Sequence, residues 1–356
     1  MKEMEKKTGS RRKSRKKTAA VLCCCGTLLL CACQKQSSPV PEAVQIGVTC
    51  YNQSDTFIGE MVESLKEQPN SRDRHDGEIV VTVRDAAGSQ RTQTDQVEEL
   101  IDLGCTVLCV NLVDRADPSE IIDLARENDV PIIFFNREPV SEDLLQWDGL
   151  YYVGADAKQS GQMQGELAAE VIRNHPQIDR NKDGKIQYVV LEGEPGHQDS
   201  IIRTENAVNT LKEEGISLEK LTYGIANWNR AQAQTRMMQM LSQNQNKIEL
   251  VLANNDDMAL GAIDAYEKLN LTESAWPVFF GIDGTDDGLR AVRDGKLAAT
   301  VYNDKDGQAR AMVDLALEII RGREKDKDMW VGEKYTYVPY SKVTAENVRD
   351  YLLREK

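Results

Sequence analysis

The chain contains no nucleophile elbow, no phosphate-binding loop and no zinc-binding motif, so the common short signatures of acyl-transfer, nucleotide and zinc chemistry are missing. Cysteine offers no framework either. Five of the eight cysteines fall in the first 33 residues, and the remaining Cys50, Cys105 and Cys109 are an odd set without Cys/His spacing. A disulfide scaffold and a thiolate metal site are thereby excluded for the body of the chain, and these three read as buried thiols on strands. Solenoid repeats are absent. No helix-turn-helix precedes the first apolar segment, which argues against a DNA-reading repressor. The charge agrees: residues 1–20 carry nine Lys/Arg against two Glu, a net +7, so a total of −14 leaves −21 on everything that follows. Such a body repels nucleic acid and anionic membrane surfaces.

What is present begins with a leader. A basic region ending at Lys17 is followed by AAVLCCCGTLLLCA, too short for a stable transmembrane helix and of signal-peptide length. It ends in Leu30-Cys31-Ala32-Cys33, a lipobox pattern that would make Cys33 the diacylated first residue. The expectation is a signal peptide over 1–32, a polar and proline-containing tether over 33–43, and a body held outside the cytoplasm on the outer face of the membrane. An uncleaved membrane anchor is the alternative and leads to the same side.

With 356 residues, 40% of them apolar, the chain can fill two cores. From VQIGVTC onward, strand-like apolar runs alternate with amphipathic helices: TFIGEMVESLKEQ, EIVVTVR, QVEELIDLG, TVLCVNL, PSEIIDLAREN, VPIIFF, LYYVGAD and SGQMQGELAAEVIRN. A second such series runs from IQYVVLEG to AATVYND. Apolar strands separated by helices predict α/β architecture, here two tandem doubly wound parallel sheets covered on both faces.

Between the two series lies DRNKDGKIQ. Asp179, Asn181 and Asp183 present oxygens at alternate positions, Gly184 makes the sharp turn, Lys185 offers its carbonyl and Gln187 stands ninth, as in a calcium loop. The twelfth position is Val190 inside a strand rather than a glutamate on a helix. The segment is therefore no EF-hand, and a missing carboxylate must come from elsewhere. A plain polar turn is the alternative.

In open α/β sheets ligands bind beyond the carboxyl ends of the strands. Asp55 and Phe57 follow the first strand, Asn136 follows VPIIFF, and His197, Asp199 and Arg203 follow YVVL. Asn255, Asp283 and Asn303 follow the later ones, and Trp228 follows LTYGI. Planar polar groups suit vicinal hydroxyls, and aromatic faces suit the C–H faces of a pyranose. Taken singly, each polar residue could be an ordinary helix cap or turn residue.

These segments resemble the bacterial periplasmic galactose/glucose-binding protein family: a calcium loop, a strand, then PGHxDxxxR, with IGVT, FFN, ANND and a final ND in matching order from about Ile46 to Tyr340. The resemblance implies a type I periplasmic binding fold with lobes over 44–153 plus 306–335 and 154–305 plus 336–356. It places hinges near Val153–Ala155, Asn303–Asp306 and Tyr335–Tyr337. It assigns Asp55, Asn136, His197, Asp199, Arg203, Asn255, Asp283 and Asn303 to hydrogen bonds with a monosaccharide and Phe57 and Trp228 to its faces. The implied structural Ca²⁺ has Asp179, Asn181, Asp183, Lys185, Gln187 and the distant Glu249 as ligands. Function follows as an expectation: a monomeric, lipid-anchored receptor delivering galactose or glucose, with methyl galactosides as further ligands, to an ABC permease. The alternatives are a chemotaxis or sensor receptor, or, less favoured, a sugar-processing enzyme using the carboxylates of Asp199 and Asp283.

Overall fold

The computed structural model describes residues 43–71, 78–244, 246–321 and 334–353. The expected signal peptide, Cys33 and nearly all of the tether lie outside the described residues, as does 322–333.

The first series gives β1 (Val44–Cys50), α1 (Thr56–Glu67), β2 (Ile79–Asp85), α2 (Gln90–Asp102), β3 (Val107–Val110), α3 (Ser119–Glu127), β4 (Ile132–Phe135), α4 (Ser141–Leu144) and β5 (Leu150–Gly154). The second gives α5 (Ala157–Asn174), β6 (Ile186–Glu192), α6 (Gln198–Glu213), β7 (Leu218–Ile225), α7 (Arg230–Asn244), β8 (Leu250–Ala253), α8 (Asp256–Lys268), β9 (Val278–Phe280), α9 (Asp286–Arg293) and β10 (Ala299–Tyr302). The chain then supplies α10 (Lys305–Arg321), β11 (Tyr335–Tyr337), β12 (Ser341–Thr344) and α11 (Val348–Leu352).

The strands form two six-stranded sheets, ordered β11-β5-β4-β3-β1-β2 and β12-β10-β9-β8-β6-β7. Pairing is parallel except at the β10–β12 edge. Both faces of each sheet are buried because neighbouring residues of a strand point to opposite sides. In β4, Ile133 and Phe135 pack with β1, α1 and α10, while Ile132 and Phe134 pack with Val97, Leu100 and Ile121 on the other face. Likewise Val251 and Ala253 of β8 join Met237 and Ile263, whereas Leu250 and Leu252 join Leu167 and Leu211. This two-sided burial is why the strands read as continuous apolar runs. Cys50, Cys105 and Cys109 are free and buried.

The order of each sheet reverses between β1 and β3 and between β6 and β8, which opens a crevice at the carboxyl ends there. Three passages join the lobes. The third was expected at Tyr335–Tyr337, but these residues are a strand of the first sheet, Thr336 pairing with Val153. The passage to the second sheet therefore comes after them, across 338–340. A tyrosine cluster explains the shift: Tyr335 and Tyr337 stack at 5.9 Å and pack edge-on against buried Tyr152, which favours strand pairing over a free hinge.

Helices α5 and α6 approach closely because Gly161 and Gly165 face them. A methyl group there would lie 2.7 Å from the carbonyl oxygens of Arg203 and Ala207 respectively. The close approach seats Arg203 against the body of the second lobe.

Candidate functional site

A small cavity with about 30 Å³ of free space lies between the lobes. Nine of the ten residues singled out from the sequence line it: Asp55, Phe57, Asn136, His197, Asp199, Arg203, Trp228, Asn255 and Asp283. Asn303 does not. It is buried at the end of β10, where its side-chain oxygen accepts a 2.6 Å bond from Gln308 and is engaged within the fold.

Three of the nine do double duty as helix caps. Asp55 Oδ1 accepts from Ile58 N (3.1 Å) at the start of α1, His197 Nδ1 from Asp199 N (3.2 Å) at α6, and Asn255 Oδ1 from Met258 N (2.9 Å) at α8. Capping uses one lone pair of each group, and Asp55 Oδ2 and Asn255 Nδ2 are further held by the Tyr51 hydroxyl and Trp228 O. The partial positive ends of three helices also converge there, which suits a site rich in carboxylates. Three others sit at positive φ: Asn136 (58°), Trp228 (60°) and Asp283 (114°). Backbone of this kind is costly for non-glycine residues, and here it aims each side chain into the cleft. Gly193 makes room for the Trp228 indole, since a methyl group at that position would lie 2.1 Å from the ring.

Arg203 organises the second-lobe wall. Its Nη1 donates to Asn254 O (2.8 Å) and lies 3.5 Å from Asp283 Oδ1. Its Nη2 donates to Tyr340 OH (3.1 Å) and lies 3.7 Å from Asp199 Oδ2. Burial raises the carboxyls of Asp55, Asp199 and Asp283 above the usual carboxylate range, with Arg203 opposing the shift at the latter two and the Tyr51 hydroxyl opposing it at Asp55. His197 is neutral: burial pulls its pKa down, Arg137, Arg203 and Arg115 push the same way, and Nδ1 is an acceptor. Its proton therefore sits on Nε2, free to donate. The 3.9 Å approach of its ring to Asp199 is for that reason no ion pair.

The first-lobe wall holds three residues that the sequence reading missed: Tyr51, Ile58 and Arg137. Tyr51 donates to Asp55 (2.5 Å), and the Arg137 guanidinium lies 3.6 Å above the Tyr51 ring. Tyr51 directly follows β1 and Arg137 stands two residues beyond β4, so the strand-end rule would have found them. Asn111 and Asn254, just after β3 and β8, were also missed. Each ties the loops at its crevice: Asn111 reaches Tyr51 N, Phe135 O and Asn136 Oδ1, while Asn254 reaches Gly193 N, Ser200 and Thr204. Among the described side chains, Nε of Arg137 and of Arg203 are buried with no partner. These two N–H groups, the Nε2–H of His197 and the three carboxyl groups remain for a ligand that can both accept and donate.

The residues of the DRNKDGKIQ loop lie at the amino end of β6, away from this cavity. Positive φ at Lys182 (60°) and Gly184 (79°) makes the turn. Asp183 Oδ2 accepts from Asn181 and Gln187, at 3.0 and 2.9 Å, and Asp179 accepts from the amides of Asp183 and Gly184. Buried Glu249 reaches the same loop, accepting from Arg180 N (2.7 Å) and Gln187 N (3.1 Å). Among the described residues no group of three Asp, Glu, His or Cys side chains is gathered as a metal cluster. The donors are nonetheless all oxygens on one loop and the strand beside it, which suits a hard cation.

Comparison with known proteins agrees with this architecture. Residues 46–324 match the family described as "Periplasmic binding protein domain". The D-galactose/methyl-galactoside binding periplasmic protein of Haemophilus influenzae is 35% identical over 311 residues, 86% of this chain and 92% of that one. A putative rhizopine-binding protein of Rhizobium meliloti is 29% identical, covering 77% and 82%. Among solved structures, an ABC transporter solute-binding protein of Bacillus halodurans with bound myo-inositol superposes with a TM-score of 0.72 at 29% identity, covering 87% of this chain and 98% of that one.

Proposed function

Since the chain belongs to the periplasmic binding protein family, a family of solute receptors rather than enzymes, we propose that it captures D-galactose or D-glucose outside the cytoplasm and delivers it to an ABC permease. The observation that carries this reading is the composition of the cavity. Three buried carboxylates and a neutral imidazole accept and donate around its edge, two unpartnered guanidinium N–H groups point to acceptors, and Phe57 and Trp228 supply flat faces. A neutral polyol satisfies all of them, whereas an anionic ligand would meet the carboxylates unfavourably. Both lobes contribute, so a ligand that bridges them favours the closed state, and closure is what a permease can recognise.

A cyclitol shares the ring of hydroxyls, and the myo-inositol complex of the Bacillus halodurans protein makes it the second candidate. Calorimetric titration with D-galactose, D-glucose, methyl galactoside, myo-inositol and D-ribose separates the two. Binding of a hexose at least tenfold tighter than inositol and ribose is expected, and the opposite order would overturn the assignment. In the same reading Ca²⁺ binds at Asp179, Asn181, Asp183, Lys185, Gln187 and Glu249 and holds the loop without touching the sugar. Excess chelator should then lower the melting temperature, because the ion binds the folded chain alone. Anchoring through Cys33 completes the proposal: Cys33→Ala should abolish acylation, and a variant that still labels with palmitate would refute it.

A further inference from the structure

Outside the sugar cavity, the cleft widens into an open space of about 540 Å³. Tyr51, Asp55, Arg137 and Trp228 line both, so these side chains are the partition between them. Arg137 is its centre. The side chain is 5% exposed, donates to Val113 O (2.9 Å) of its own lobe, and lies over the Tyr51 ring, whose hydroxyl is bonded to Asp55. A second guanidinium nitrogen, Nη2, reaches across the cleft to Glu194, which follows β6 in the second lobe. Glu194 itself lines the outer space and is absent from the cavity wall.

A single ion pair thus connects the lobe that does not carry Arg137 to the chain Arg137, Tyr51, Asp55 on the lobe that does. Other bonds also cross between the lobes, Thr56 to Asp257 (2.7 Å), Arg115 to Gln198 (2.8 Å) and Lys305 to Asp286 (3.1 Å). None of these holds a side chain that is itself buried in the partition. We propose that Glu194 is a positioning residue that keeps Arg137 in the partition and thereby sets how long the closed cleft retains its ligand. The proposal rests on the sugar-receptor reading above.

Removing a partner from a largely buried charge pair acts mainly on dissociation, and a pair whose acid is 41% exposed is weakened by salt. The test uses the full chain and first establishes, by calorimetry, which of D-galactose, D-glucose, myo-inositol and D-ribose the wild type binds. Dissociation of that ligand is then followed by stopped-flow tryptophan fluorescence at low and high salt. Glu194→Ala and Glu194→Gln are expected to release ligand roughly tenfold faster at low salt, with Glu194→Asp between them and the wild type. High salt should speed release from the wild type and have much less effect on the Ala variant, a difference that loss of packing alone would not give. An unchanged or slower rate in Glu194→Ala, or an equal salt effect in both proteins, overturns the proposal. Binding of inositol or ribose alone would remove the hexose assignment and leave the comparison of rates intact, while a wild type that binds none of the four removes both.

Discussion

The two lobes share a sheet order and a set of strand-end positions, yet they hold their ligand groups differently. In the second lobe the site is tied to its own body: Arg203 is fixed by Asn254 O and Tyr340 OH, and α6 is seated by the glycines of α5. In the first lobe the corresponding cation, Arg137, takes one of its bonds from the other lobe. The structure therefore contrasts a self-supported wall with one completed by closure. Equal folds need not contribute equally to binding.

The sharpest way to break this comparison is to remove the second lobe's tie. Arg203→Met leaves Asp199 and Asp283 buried without their cation, a loss of about 3–5 kcal/mol for a broken buried pair, so sugar affinity should fall by more than about a hundredfold and the melting temperature should drop as well. Titration and thermal melts of the one variant measure both. Retained affinity would mean that the second wall is not the stronger one.

A smaller effect is expected at the first lobe. Asp55→Asn replaces a carboxyl group by an amide facing the Tyr51 hydroxyl and the Ile58 amide, at a cost of about 1.5–3 kcal/mol, roughly ten- to a hundredfold in affinity. The loss should fall on galactose and glucose alike, because a carboxylate accepts over several directions and can serve either C4 epimer. Calorimetry with the two sugars decides; a change confined to one would mean that Asp55 reads that epimer.

Gly193→Ala tests how finely the second wall is shaped. Its methyl group would overlap the Trp228 indole, which must shift in a close-packed setting. Affinity should fall about tenfold, or about 1.4 kcal/mol, with altered tryptophan emission and little change in overall fold by circular dichroism.

A last effect concerns pH and acts on stability rather than affinity. Burial raises the carboxyl of Asp256 to about 7, against an ordinary value of about 3.9 in the unfolded chain. Between those values the folded chain holds a proton that the unfolded chain lacks, so stability from this group is greatest at low pH and is lost as pH rises through about 7. Asp256→Asn should flatten that part of the melting profile between about pH 4 and 7. An amide fits the site, since its nitrogen can face the Thr300 hydroxyl that now donates to Oδ1. A variant with the wild-type slope would place the titration elsewhere.

Much of this arrangement was legible in the sequence for a physical reason. Strands buried on both faces must be apolar throughout, so IIFF and LVLA announce themselves, and the polar residue after each run marks the open end of a sheet. The same logic failed where residue type misled. Tyr51 and Arg137 follow strands as Asp55 and Asn136 do, but an aromatic and a cation look like packing and surface charge until their neighbours are known. Asn303 fits the pattern and still faces inward, because Gln308, one turn into α10, captures its side chain. The hinge that the resemblance implies at Tyr335–Tyr337 is a strand instead, and its pairing depends on Tyr152, far away in sequence.

The double use of Asp55, His197 and Asn255 as helix caps and cavity walls bears on how such a receptor can change its taste during evolution. Exchanging any of them alters the ligand and also removes a cap, at about 0.5–2 kcal/mol of fold stability each. Tyr51, Phe57 and Arg137 cap nothing, so a lineage drifting toward a new sugar meets the least resistance on the first lobe, at those three positions, while the capped residues persist as the inherited frame.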